Sequence, residues 1–160
     1  MANDMYLKVE GAPGESKDSK HKDWIEIDSY SFGASQMSTM GHGGGGGAGK
    51  VQMQDFHFVS KLDKASPVLF QFLASGKHIG KVELSQCKVG GDQVEFLKVT
   101  MEDALMSSWQ MGDSAGGAIP TGQYSFSFSK IKVEYSEQTD KGGKGATTTG
   151  GWDNKGNVKM

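Results

Sequence analysis

Along most of this chain hydrophobic residues recur at every second position, the period of a strand that buries one face. Met5, Leu7 and Val9 alternate with Tyr6 and Lys8. From Trp24 to Phe32 (WIEIDSYSF), Ile25, Ile27, Ser29 and Ser31 share one face, while Trp24, Glu26, Asp28, Tyr30 and Phe32 share the other. Val51 to Ser60 shows a phase slip at Asp55: Val51 and Met53 precede it, Phe56 and Phe58 follow on the opposite parity. Such a slip predicts a β-bulge. Val82 to Val89 and Val94 to Met101 read as a hairpin across Gly90-Gly91-Asp92, and Leu105 to Met111 as a further, weaker strand. Tyr124 to Tyr135 (YSFSFSKIKVEY) changes phase near Lys130 and predicts one long bulged strand.

One segment departs from this period. Ser66 to Gly76 (SPVLFQFLASG) has Ser as N-cap, Pro at the first helical position and Gly just past the end. Leu69, Phe72 and Leu73 form its apolar stripe. The expected fold is mainly β: an antiparallel β-barrel or sandwich of two sheets, seven or eight strands in all, with one short α-helix at about 66–76. One domain over residues 1–136 and a flexible Gly/Lys/Thr-rich tail over 137–160 complete the expectation, and no internal repeat is visible.

Composition adds glycine to this picture. Of the 24 glycines in 160 residues, seven fall within Gly41 to Gly49 and six within Gly142 to Gly156. A folded body therefore carries an extended glycine-rich loop over 37–50 and a second glycine-rich stretch near its end. All 17 basic residues are lysine and the net charge is −2, so no guanidinium fork and no basic surplus favour nucleic acid. The lone Cys87 excludes an internal disulfide. The first residues show no basic and apolar leader, and no apolar run approaches a membrane span, so neither a signal peptide nor membrane insertion is expected.

Candidate chemistry is sparse. Gly44 to Lys50 spells GxxxxGK, but Val51 stands where a magnesium-binding hydroxyl is needed and a strand pattern follows in place of a helix. His21, His42, His57 and His78 lack metal-ligand spacing, Cys87 sits within an expected strand, and Glu26 with Asp28 reads as a solvated face. No nucleophile motif occurs, so the chain reads as a non-enzyme with no catalytic residue, cofactor or metal. One positive hint is polar: Ser125, Ser127 and Ser129, and Gln52 with Gln54, lie opposite apolar faces. Such weakly charged faces suit either water or a wet subunit contact.

At this level the sequence resembles the haemolysin-coregulated proteins (Hcp) of type VI secretion systems. Gly14-Glu15-Ser16, His21 and WIEIDSYSFGASQ match the family's N-terminal signature; FHFVSKLDKASPVLFQFLASGKHI, VEFLKVTMEDALMSSW, YSFSFSKIKVEY and Gly151-Trp152-Asp153-Asn154 continue it in order. Only Asp140 to Thr149 has no counterpart. The resemblance implies homohexameric rings that stack into the secretion tube under a spike protein and within a sheath, carrying effector proteins in the lumen. It also implies a subunit assembled in the cytoplasm and itself secreted without a signal peptide. Ser31 aligns with a small pore-facing position, and with Ser29 is the expected effector contact; Met40, His42, Gly45 and Lys50 mark the expected ring-stacking loop. The competing reading is a monomeric β-sandwich that binds a small ligand or glycan through Trp24, Tyr30 and Trp109. A catalytic extension, the third reading, would need more chain than follows the last expected strand.

Overall fold

The computed structural model describes residues 3–38, 48–89 and 93–160. The strands are β1 (Asn3–Val9), β2 (Ile25–Glu26), β3 (Ser29–Ser31), β4 (Ala34–Ser38), β5 (Ala48–Met53), β6 (Phe56–Lys61), β7 (Ile79–Lys88), β8 (Val94–Gly112), β9 (Thr121–Gln138), β10 (Lys144–Asp153) and β11 (Val158–Lys159). A single helix, α1 (Ala65–Ser75), lies between β6 and β7. Every pairing between these strands is antiparallel. The fold is a mainly β sandwich, and it is not a closed barrel.

The two longest strands belong to both layers. β8 and β9 pair along most of their length, from Leu97↔Tyr135 to Gly112↔Thr121. The first half of β9 then takes β6 on its free edge, and β6 takes β3. Its second half takes β10 and β11 instead, while the first half of β8 takes β7, β1 and β2. Both long strands exchange their buried face on the way. Met106 and Ala104 pair with Phe126 and Phe128 at one end, Met101 and Val99 with Ile131 and Val133 at the other. Parity flips around Asp103, the one residue of β8 with a left-handed backbone (φ 57°). A short polar side chain tolerates that conformation better than an apolar one. Its carboxylate accepts the Ser129 hydroxyl at 2.6 Å and is bridged by His78 and Lys155. The phase change expected near Lys130 is thus a change of face, and the bulge of this ladder lies in β8, between Met106 and Ser108.

Aromatic rings fill the space between the layers. Phe56, Phe58, Phe126 and Tyr124 are all buried, with Phe56 stacked on Phe126 at 5.1 Å and Phe58 on Tyr124 at 4.9 Å. α1 closes this core with Leu69 and Phe72. Its start differs from expectation: Lys64 stands at the N-cap position and Ser66 lies inside the helix, while Asp63, just before it, supplies the side-chain bonds. The Asp63 carboxylate accepts the Ala65 amide at 2.9 Å, and the Ser66 hydroxyl accepts the Asp63 amide at 3.2 Å, the reciprocal bonds of a capping box. Ser66 is needed in the core, where its hydroxyl accepts the Tyr124 phenol at 2.8 Å and its carbonyl accepts Trp109 Nε1 at 3.0 Å. Gly76 ends the helix in a left-handed turn, as expected.

Three further expectations change. Val51 to Ser60 is not one bulged strand: the chain leaves the β4–β5 ribbon at Met53, the Gln54 amide bonds to Gly33, and β6 enters the main sheet at Phe56. Leu105 to Met111 is the second half of β8 and not a separate strand. The segment expected as a flexible tail contributes β10, paired to β9 from Lys144↔Gln138 to Asp153↔Lys130, with Trp152 opposite Ile131. The expected turn at Gly90-Gly91-Asp92 lies outside the described residues.

Two outcomes follow. Phe56→Ala, which empties a fully buried site, should cost about 3–5 kcal/mol in urea unfolding. Asp103 is held well below the ordinary carboxylate range, first by Lys155, then by Ser129 and His78. Its contribution is present above the unfolded carboxylate range and lost as pH falls through the lower folded value. Asp103→Asn should therefore flatten the acid limb of a stability–pH curve; an unchanged limb would show that the bridge adds nothing.

Candidate assembly surfaces

Period two, applied to β3 and its neighbours, builds a nearly uncharged sheet face. Tyr30 turns inward, stacked on Phe56 at 5.7 Å with its hydroxyl donating to Gln86 at 2.7 Å, and burial pushes its phenol up. Ser29 and Ser31 on either side are exposed. Register then runs across four strands: Ser31 opposes His57, His57 opposes Ser125, and Ser125 opposes Ser108. The next row is Ser29, Val59, Gln123 and Gln110. Lys61 closes the face beside Thr121, with its ammonium 3.6 Å from Asp28.

This face is smooth at its centre. The Ser125 hydroxyl meets those of Ser107 and Ser108 at 2.7 and 2.5 Å, so the extra residue of the β8 bulge lets three hydroxyls satisfy one another. Ser125 is buried by that arrangement, while Ser31, His57 and Ser108 remain the exposed polar heads of their row. The alternation of Ser125 and Ser127 was the sequence signal for this wall. The contribution of His57, Gln110 and Gln123 needed the register, which no local pattern supplies.

The second surface is the β4–β5 ribbon, a two-stranded sheet separate from the main one. Ala34 pairs Met53, Ser35 pairs Gln52 and Gln36 pairs Val51. Among the described residues no third strand joins the ribbon; a two-stranded ribbon is marginal alone, and its edges offer backbone groups to a neighbour. Of the expected stacking residues, Lys50 lies exposed on β5, whereas Met40, His42 and Gly45 lie outside the described residues.

The remaining candidates take ordinary places. Lys50 and Val51 belong to a strand, so the GxxxxGK letters open no helix that could face a phosphate. Cys87 is buried, and burial pushes its thiol up, away from the reactive thiolate. Glu26 and Asp28 border a groove of about 190 Å³ shared with Glu15 and Lys61. His21 bonds to Asp18 and Ser85, and His78 to Asp103. Among the described residues no three His, Cys, Asp or Glu side chains gather to hold a metal ion. Trp24, Tyr30 and Trp109 are dispersed: Trp24 packs on His21, Tyr30 on Phe32 and Phe56, Trp109 on Phe70 and Tyr124. Among the described residues, Trp109 and Trp24 border different grooves. Among the described residues no helix is long and apolar enough to cross a membrane.

Comparison with known proteins agrees over the whole chain. Residues 6–135 match the family described as "Type VI secretion system effector, Hcp". The chain is 40% identical to "Protein hcp1" of Pseudomonas aeruginosa over 161 aligned positions, covering 99% of each. Among solved structures, Hcp1 from Salmonella typhimurium superposes with a TM-score of 0.82 at 34% identity, covering 100% of both chains. A structure described as a type six secretion system protein superposes with a TM-score of 0.93 at 31% identity, covering 99% of this chain and 100% of that one. With sequence, family match and fold in agreement, this chain belongs to the Hcp family of the type VI secretion system.

Proposed function

We propose that the protein is the repeating subunit of a type VI secretion tube: six copies close into a ring, rings stack, and the lumen carries effector proteins. The observation that carries this reading is the four-strand face of Ser29, Ser31, His57, Gln110 and Gln123, flat in register and almost free of charge. A wall that must hold cargo and then release it needs many weak, hydrated contacts and no deep pocket, and this face has that character. Ser31, flanked by Ser29, is the effector contact in this account. The edges of the β4–β5 ribbon supply a heterologous contact that closes by rotation.

The segment over 37–50, whose ends lie in β4 and β5 and which carries Met40, His42, Gly45 and Lys50, reaches the adjacent ring. Each glycine ordered there costs about 1–2 kcal/mol of backbone entropy, which keeps stacking weak. Weak stacking makes the tube form only where a spike protein starts it and a sheath surrounds it, and lets it fall apart after delivery. The subunit assembles in the cytoplasm and leaves with its cargo. No cofactor, metal, nucleic acid or catalytic step enters this function.

A bulky Ser31→Gln change should lower retention of a co-expressed effector several-fold while the ring stays intact by size exclusion. Unchanged retention by an intact ring would remove Ser31 from the cargo contact. Purified rings should also remain single at low micromolar concentration without spike or sheath; spontaneous polymerisation under those conditions contradicts weak stacking.

A further inference from the structure

The connection from β1 to β2 folds back over the outer face of β1, β7 and β8, where a polar cluster pins it. His21 is buried, stacked on Tyr6 with ring centroids 4.3 Å apart and planes within 4°, and edge-on to Trp24 at 4.9 Å. Its Nδ1 lies 2.7 Å from Asp18 Oδ2, and its Nε2 lies 2.9 Å from Ser85 Oγ. Ser85, fully buried on β7, also bonds to the Glu95 carboxylate on β8 and sits 3.6 Å from Cys87 Sγ. The same connection reaches α1, since Glu15 accepts the Lys64 amide at 2.8 Å. Neither the polar wall nor the ribbon uses any of these groups.

Counting protons shows what the cluster requires. Ionised carboxylates accept only, and a serine hydroxyl has one proton to give. Asp18 takes the Nδ1 proton of His21, and Glu95 takes the Ser85 proton. Ser85 Oγ is then left to accept from Nε2, which must carry a proton as well. If Glu95 instead holds that proton, it donates to Ser85, and Ser85 donates to Nε2. Either way the cluster holds one proton more than two carboxylates and a neutral imidazole supply.

The surroundings favour keeping it. Asp4 and Tyr6 on β1, Glu26 on β2, Glu83 and Cys87 on β7, Lys98 on β8, and Lys20 within the connection surround the cluster, three carboxylates against two ammonium groups. Burial works to raise the Asp18 carboxyl, yet its bonds to His21 and to the Lys20 amide outweigh that and hold it low.

We infer that Asp18, His21, Ser85 and Glu95 form a proton-dependent latch that holds the β1–β2 connection against β7 and β8. With the extra proton present, every bond of the chain is made. Without it one bond breaks, the connection loosens, and the Glu15 cap on α1 loosens with it. Opening the latch releases that proton to solvent, so by linkage the latch contributes in acid and fades toward alkali.

Urea unfolding of the intact protein at about pH 6 and about pH 9, at one protein concentration, brackets the range in which histidine changes charge. The folded-to-unfolded ratio of the native protein should fall several-fold across that interval. Glu95→Gln supplies Ser85 with an amide donor that does not titrate, so its ratio should fall much less. Equal losses in the native protein and in Glu95→Gln would overturn the latch. His21→Gln provides a second arm: it should be less stable than the native protein at about pH 6 and show the smaller pH dependence. A His21→Gln variant with the native pH dependence would contradict the latch as well.

Discussion

The shared ladder of β8 and β9 is the constraint on which the rest of the structure depends. Two strands serve two layers only if both exchange their buried face midway, and Asp103 makes that exchange with a left-handed residue inside a continuous register. Apolar side chains would resist that backbone, and an unpaired carboxylate would hold nothing in place. The bridge to Ser129, His78 and Lys155 ties the turn to β9, to the segment after α1 and to the β10–β11 turn at once.

The two assembly surfaces follow from this arrangement. Beyond the exchange, the first half of β9 turns Tyr124, Phe126 and Phe128 inward and presents Gln123 and Ser127 outward. β6 does the same with Phe56 and Phe58 against His57, so the inner aromatic stack and the outer polar wall are two sides of one alternation. A heavier inner face keeps the sheet rigid, and a lighter outer face keeps it smooth. The ribbon leaves the sheet at Gln54, where continued pairing would have hidden its edges.

Much of the fold was legible because alternation is local. The strands at Met5 to Val9, Val82 to Val89 and Tyr124 to Tyr135 are where their patterns place them. Global geometry accounts for the misses. The parity slip at Asp55 marks a passage between sheets, which sequence cannot distinguish from a bulge. Ser66 has the letters of an N-cap, but the helix starts before it, and its hydroxyl accepts both the buried Tyr124 phenol and the Asp63 amide. The glycine and threonine of β10 look mobile by composition; β9 orders them because its second half has a free edge. Spacing put Ser29 and Ser31 on one face but wrongly joined Ile25 and Ile27 to it: β2 and β3 are separate strands, so the isoleucines are buried and the serines exposed. The alignment of the serines with His57 and Ser125 depends on pairings distant in the chain.

The central claim is that this subunit works as a closed ring, and its solution mass tests that most directly. Light scattering after size exclusion, or native mass spectrometry, should report about six times the 17.1 kDa of one chain. A monomer that persists at high protein concentration would contradict the ring, and with it the assignment of the polar wall to a lumen.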